Sequence, residues 1–281
     1  MVVLSRRAHS IFELRLFNDG VAMLFAYSAM AFGMRNKWTW ACVLFSLGVS
    51  IKMNVLLMAP GLAVLLVQAR GIWGATWRVL LCGLIQLVFA LPFLWVNPLG
   101  YVTRSFDLGR VFLKEWTVNF KFLDEATFQS LGPLLLGCTL VVWLVFGHVR
   151  WTNKGLFWLV LDSPGIAHAK LDPSHVAVVM LESNLIGICF ARSLHYQFYV
   201  WYVHSLLFMV NRGWIGENLG PIACVLVLLG VEFCFNVFPA TPQSSLLLQG
   251  LHLALLASAW FSAKPMPIEA PGARAEAEKE E

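Results

Sequence analysis

Long apolar stretches without charge are the feature that most constrains this chain. Val79 to Val96 reads VLLCGLIQLVFALPFLWV, and the runs Leu131 to Phe146 and Leu246 to Phe261 are comparable. A hydrocarbon layer about 30 Å thick needs roughly 20 such residues per helix. Because charged residues make up only 13% of the chain and the mean hydropathy is +0.71, the sequence predicts an integral membrane protein.

The distribution of apolar runs predicts an all-α membrane protein, a polytopic bundle with about eight transmembrane helices in this chain. Besides the three runs above, residues 219–238 are long enough to span a bilayer. Residues 176–191 and 198–210 are shorter and more polar. The segments 21–34 and 39–68 supply further short or tilted helices.

Basic residues near the helix ends predict the orientation, because lysine and arginine favour the cytosolic side of a membrane. They fall in alternate connections: Arg35, Lys37, Arg70, Arg78, Arg150, Lys154, Lys170, Arg212 and Lys264. The other side then receives residues 13–19, the SIKMN break at Lys52, the loop 97–130, residues 192–196 and the PATPQSS segment. The polar tail 264–281 is predicted to be disordered and cytosolic.

Several classes of function lack their sequence signatures. The chain has no P-loop, GxGxxG, GxSxG or CxxC motif and no repeat with a period of roughly 20 to 50 residues. The six cysteines lie in or beside apolar runs and are expected to be small core residues: Cys42, Cys82, Cys138, Cys189, Cys224 and Cys234. Since no metal signature is present and the net charge is only +4, we expect no cofactor, no metal and no nucleic-acid partner.

Polar residues at membrane depth are costly and usually face a bundle interior or a water-filled cavity. Lys52 interrupts one apolar run, and Glu182 interrupts another. Lys52 could instead extend to the membrane surface, and Glu182 could form a hydrogen bond between helices. A path through Lys52, Glu182 and Glu232 would indicate a transporter or channel, although the inverted repeat that would support this reading is not visible.

The loop 97–125 mixes basic and aromatic residues, which is typical of an amphipathic element lying in the membrane interface. Its members are Arg104, Arg110, Lys114 and Lys121 among Phe106, Phe112, Trp116, Phe120 and Phe122. An ordinary aromatic belt has the same composition. However, four basic residues on the non-cytosolic side favour a bound anion, such as a lipid phosphate.

Four sequence blocks carry a family resemblance. HSIFELRLFND, SLGVSIKMNVLLMAPGL, NPLGYVTRSFDLGRVFLKEWTVNF and SNLIGICFARSLHYQFYVWY resemble, in order and spacing, blocks of the dolichyl-phosphate-mannose:Man5GlcNAc2-PP-dolichol alpha-1,3-mannosyltransferase family, from about Ala8 to about Ala263. The resemblance implies a GT-C membrane glycosyltransferase in the endoplasmic reticulum, multi-pass, with its active site facing the lumen. It also implies transfer of mannose in alpha-1,3 linkage between dolichol-linked donor and acceptor lipids, for protein N-glycosylation. It does not identify a protein partner.

The implied reaction inverts the donor mannose, so it needs an acid to deprotonate the acceptor hydroxyl and cations to stabilise the departing dolichyl phosphate. Candidate phosphate ligands are Arg15, Arg104, Arg110, Arg192 and His195. Candidate contacts to sugar or polyprenyl chain are Tyr196, Tyr199, Trp201 and Tyr202, although each could be an interfacial belt residue. Asp19 and Asp107 are the candidate acids on the lumenal side.

The resemblance also predicts a short form of the enzyme. Residues 1–263 are expected to be a membrane core that lacks the family's N-terminal helix and first lumenal loop, which carries the acids thought to act as the base. Gly20 replaces a proline common after FND in the family. The chain is therefore expected to be either a mannosyltransferase or a catalytically inactive short form that binds dolichol lipids or partners.

Overall fold

A computed structural model describes residues 5–105, 113–162 and 169–264. Every secondary-structure element assigned in these ranges is a helix, which confirms the predicted all-α class. The α-helices are α1 (Arg6–His9), α2 (Asp19–Met34), α3 (Trp38–Ile51), α4 (Ala59–Val96), α5 (Pro98–Ser105), α6 (Glu125–Ser130), α7 (Gly132–Val149), α8 (Leu156–Asp162), α9 (Pro173–Cys189), α10 (Val203–Arg212), α11 (Trp214–Asn236) and α12 (Pro242–Phe261). Between them lie a π-helical turn, Ser10–Leu14, and three 3₁₀ helices, Met53–Met58, Lys114–Trp116 and Tyr196–Trp201.

Four helical stretches of the described residues are long and apolar enough to cross a membrane: Met53–Val96, Gly132–Val149, Trp214–Asn236 and Pro242–Phe261. Three further apolar helices, α2, α3 and α9, are shorter. Many large apolar side chains point outward, as at Trp95, which is 91% exposed. Such an apolar exterior is expected for helices surrounded by lipid.

Gly71 divides α4 into two helices. Its backbone has φ 67° and ψ 175°, a conformation that is essentially open only to glycine. From Lys52, residues 53–70 run back beside α3 until the Arg70 guanidinium donates to the carbonyl of Asn36, just before α3 begins. The chain has therefore crossed the bundle once by Arg70.

After Gly71 the chain turns and runs parallel to α3. The Arg78 guanidinium donates to Thr39 Oγ1 at 3.3 Å near the start of α3, and Gln86 Nε2 donates to Ser46 and Ser50 farther along it. Contacts that advance together along both helices require the same direction. The Met53–Val96 stretch is thus a helical hairpin rather than one rod.

When the two arms of this hairpin are counted separately, nine helical segments of the described chain run alternately between the two ends of the bundle. They are α2, α3, 53–70, 72–96, α7, α9, 196–212, α11 and α12. The sequence predicted about eight spans. We call the end with Lys52 and His195 the Asp19 end, and the end with Asn36 and Ser262 the Arg150 end. The loop 113–130 lies at the Asp19 end, where Asn119 Nδ2 donates to the carbonyl of Ala191 at 2.7 Å.

Replacing Gly71 with alanine is expected to destabilise the protein by about 1–3 kcal/mol, because a Cβ is strained in this backbone conformation. Gly83 lies in the same stretch with regular helical geometry and open space around its Cα. Gly83→Ala should therefore be neutral, or stabilising by up to about 1 kcal/mol. Unfolding of the detergent-solubilised variants measures both, and equal stabilities of the two variants would contradict the hairpin turn.

The three charged residues of the transporter reading form separate local pairs. Lys52 Nζ binds Asp19 at 2.5 Å, and Arg150 Nη2 binds Glu182 at 3.0 Å near the opposite end. Glu232 accepts hydrogen bonds from the Ser5 hydroxyl at 2.8 and 3.0 Å. Glu182 therefore forms a hydrogen bond between helices, which was the alternative prediction for this residue. The contacts of Lys52, Glu182 and Glu232 form no continuous path across the bundle.

Candidate active site

A cavity of about 200 Å³ opens at the Asp19 end. The π-helical turn, the Lys114–Trp116 helix and the Tyr196–Trp201 helix surround it. It is lined by Arg7, Ser10, Ile11, Arg15, Phe17, Trp116, His195, Tyr196 and Gln197. Two guanidinium groups and an imidazole line this space without a carboxylate among the lining side chains, so the cavity favours an anion.

Arg7 is positioned by the N-terminal turn. The Ser5 hydroxyl caps α1 by accepting from the Ala8 N–H at 3.1 Å, and Glu232 accepts from the Arg7 backbone N–H at 3.3 Å. The Arg7 guanidinium lies over the Tyr196 ring, 5.0 Å from its centroid. Burial lowers the pKa of the Arg7 guanidinium, and its buried Nε has no hydrogen-bond partner among the described residues. Arg7 thus keeps donor capacity for a ligand.

Tyr196 forms the wall beneath Arg7. Its hydroxyl donates to the carbonyl of Val237 at 3.0 Å, and its ring packs against Phe238 at 5.6 Å. The side chain is thus fixed against the segment that follows α11, and Tyr196 lines the cavity.

Asn119 attaches the loop beside Trp116 to the segment before His195. Its Oδ1 accepts from the Leu194 N–H at 2.8 Å, and the Val118 N–H donates to the Leu194 carbonyl at 2.8 Å. Asn119 is fully buried, so its amide depends on these partners. Two distant segments of the sequence are in this way joined into one side of the cavity.

Asp19 lies beneath this wall and does not line the cavity. It is fully buried, and its Oδ1 accepts from Lys52 Nζ at 2.5 Å and from Trp201 Nε1 at 2.6 Å. Its Oδ2 is buried without a hydrogen-bond partner among the described residues. Proton transfer from an acceptor hydroxyl to Asp19 would therefore require this part of the bundle to open.

Comparison with known sequences identifies the family. A profile of the family described as ALG3 protein matches residues 1–245. The chain belongs to this family. Two curated relatives carry the name Dol-P-Man:Man(5)GlcNAc(2)-PP-Dol alpha-1,3-mannosyltransferase: the human protein is 43% identical over 276 residues, and the mouse protein is 42% identical over 276 residues. Each alignment covers 95% of this chain and 62% of the relative.

The Arabidopsis thaliana relative of the same name is 40% identical over 287 residues, covering 96% of this chain and 64% of its own length. The chain thus spans less than two thirds of these ALG3 relatives. No solved structure matches the chain.

Of the five phosphate ligands predicted from the ALG3 resemblance, Arg15 and His195 line the cavity. Arg104 is exposed on α5, and Arg192 packs against Gly132 at the start of α7, where burial lowers the pKa of its guanidinium; neither lines the cavity. Arg110 lies outside the described residues, as does the candidate acid Asp107. Sequence reasoning missed Arg7, although the basic pair at residues 6–7 lies one residue before the first ALG3-like block.

The aromatic cluster of the last ALG3-like block divides into two groups. Tyr196 lines the cavity, whereas Tyr199, Trp201 and Tyr202 are at most 8% exposed. Tyr202 hydrogen-bonds to His252 Nε2 at 3.0 Å inside the bundle. The predicted sugar or polyprenyl contact of these three buried residues would require the core to open, because their rings face protein in this structure.

Proposed function

We propose that this chain transfers mannose from dolichyl-phosphate-mannose to Man5GlcNAc2-PP-dolichol in alpha-1,3 linkage, for protein N-glycosylation. The observation that carries the proposal is membership of the ALG3 family across residues 1–245, whose curated relatives bear the name of this activity. The cationic cavity adds chemical support, since both substrates named there are linked to dolichol through phosphate. No cofactor is included in the proposal.

The proposal places the Asp19 end in the lumen of the endoplasmic reticulum and the Arg150 end, with the C-terminus, in the cytosol. The alternating segments would then cross the membrane nine times in a GT-C-like bundle. Support comes from the basic residues, because Arg35, Arg70, Arg78 and Arg150 all lie toward the Arg150 end. Arginine and lysine in the short connections next to helix ends are the usual mark of the cytosolic side.

In the proposed reaction, the acceptor hydroxyl oxygen bonds to C1 of mannose while the bond from C1 to the phosphate oxygen breaks. The bonding electrons leave with dolichyl phosphate, whose negative charge increases in the transition state. Arg7, Arg15 and His195 are suited to stabilise that charge because all three line the same cavity. The hydroxyl proton passes to a base; Asp107 remains a candidate, whereas Asp19 is closed off.

Complementation tests the proposal. The 281-residue chain is expressed in cells that lack the alpha-1,3-mannosyltransferase, and their lipid-linked oligosaccharides are sized. We expect growth beyond Man5GlcNAc2. Persistent Man5GlcNAc2, with the protein inserted at normal levels, would contradict transferase activity and favour an inactive form that binds dolichol lipids, which a filter-binding assay with dolichyl phosphate would then detect.

A further inference from the structure

Lys52 has a position that the proposed chemistry leaves unexplained. Its ammonium binds Asp19 Oδ1 at 2.5 Å, and its side chain is 22% exposed, so the charged group turns toward the buried carboxylate. The same ammonium lies 5.3 Å from the ring centroid of Phe198 and 5.8 Å from that of Trp201. Lys52 therefore contacts both a buried carboxylate and the faces of two aromatic rings.

The two rings form one unit. Phe198 and Trp201 stack with their centroids 3.8 Å apart and their planes at 19°. Trp201 Nε1 donates to Asp19 at 2.6 Å, and its backbone carbonyl accepts from Asn184 Nδ2 at 2.9 Å. Lys52, Asp19 and Asn184 thus hold the C-terminal half of the Tyr196–Trp201 helix from three different segments.

The N-terminal half of the same short helix borders the cavity. Tyr196 and Gln197 line it, together with the preceding His195. The His195 ring lies 5.2 Å from Phe198, and the Phe198 N–H donates to the His195 carbonyl at 2.9 Å. A displacement of the stack would therefore move the residues that line the cavity.

A six-residue 3₁₀ helix has little rigidity of its own, because its hydrogen bonds are poorly aligned. Its position must come from tertiary contacts. Asp19 is suited to anchor the ammonium, since it lies in the first turn of α2, where the helix dipole stabilises a negative charge. Glu232, by contrast, accepts hydrogen bonds from the Ser5 hydroxyl and the Arg7 N–H.

We propose that Lys52 is a positioning residue: fixed by Asp19, its ammonium holds the Phe198–Trp201 stack and thereby sets the cavity wall formed by His195, Tyr196 and Gln197. Its effect on mannose transfer rests on the proposed function. Its effect on the cavity wall does not.

The test combines a structural reporter with transfer. Gln197→Cys places a thiol at the cavity wall, and its labelling by a polar maleimide is measured in the full chain in detergent, with the unmodified chain giving the background of the six native cysteines. With Lys52→Met we expect labelling of Cys at this position to change several-fold and kcat for transfer to fall roughly 100-fold, as misplacement of a site predicts. Lys52→Arg should preserve both, and Lys37→Met, exposed at the opposite end, should change neither.

A second variant guards against misfolding, because Lys52→Met alone leaves the buried Asp19 carboxylate without its cation. Asp19→Asn combined with Lys52→Met removes that charge and keeps an acceptor for Trp201. If this double variant folds and shows the labelling and kcat of the parent, the proposal is overturned. Failure of both variants to fold would also overturn it, because Lys52 and Asp19 would then stabilise the whole bundle rather than position the cavity wall. Altered labelling in a chain that transfers no mannose would support positioning while refuting the proposed function.

Discussion

Replacing Glu182 with glutamine is expected to lower the free energy of unfolding by about 3–5 kcal/mol, because it leaves a buried guanidinium without its counter-charge. Glu182 Oε1 accepts from Arg150 Nη2 at 3.0 Å, and Oε2 accepts from Trp151 Nε1 at 2.7 Å. Both charged side chains are only 2% exposed. Arg150 also donates to the carbonyls of Trp260 and Ser262, so the pair joins α7, α9 and the end of α12.

Glu217→Gln is the matched control, because Glu217 is exposed on α11 and should change stability by no more than about 0.5 kcal/mol. Unfolding by sodium dodecyl sulfate in mixed micelles compares the variants. A Glu182→Gln protein as stable as the parent would contradict a buried, paired carboxylate. Arg150→Met combined with Glu182→Gln should recover part of the loss, since the unpaired charge is then removed.

Arg7→Gln is expected to lower mannose transfer roughly 100-fold, the usual effect of removing one preorganised donor from a developing negative charge. The substitution removes the guanidinium that lies 5.0 Å from the Tyr196 centroid, and the cavity loses one of its three basic side chains. Glu232 contacts the Arg7 backbone rather than its side chain, so the local fold should persist. We expect the fall mainly in kcat, measured with dolichyl-phosphate-mannose in detergent.

Arg6→Gln provides the control for Arg7→Gln. Arg6 is the preceding residue in α1 but is exposed and absent from the cavity lining, so transfer should stay near the parent rate. Equal losses in the two variants would indicate a general effect of N-terminal charge. Parent activity in Arg7→Gln would contradict a role for Arg7 in binding the phosphate. The cavity would then have no demonstrated part in mannose transfer.

Local composition was sufficient to predict the class of fold, and the order of residues in four blocks was sufficient to predict the family by resemblance. Uncharged runs such as 79–96 argue against a water-soluble domain, because their length matches the thickness of a bilayer. This argument does not depend on which other helices they pack against. The ALG3-like blocks are a property of residue order alone, and the ALG3 match confirms what they predict. The sequence also predicted that Lys52 and residues 192–196 lie on the same side of the bundle. This prediction needed only the observation that basic residues fall in alternate connections.

Which aromatic residues line the cavity depends on how the chain packs. Tyr196 borders it whereas Tyr199 and Tyr202 are buried, although the same block carries all three. Sequence composition cannot separate them, because an interfacial belt and a packed core use the same aromatic side chains.

The pairing of charges likewise depended on packing. Lys52 and Asp19 are 33 residues apart and Arg150 and Glu182 are 32 apart, distances at which no helical periodicity relates two side chains. Arg70 and Arg78 predicted a connection between the runs 39–68 and 79–96, but the fold decided that the chain reverses at Gly71 through a positive φ. Hydropathy and residue order were enough to predict apolar helices of the ALG3 family. Which polar groups meet inside them was decided by the fold, because buried charges are stable only where packing brings their partners within hydrogen-bonding distance.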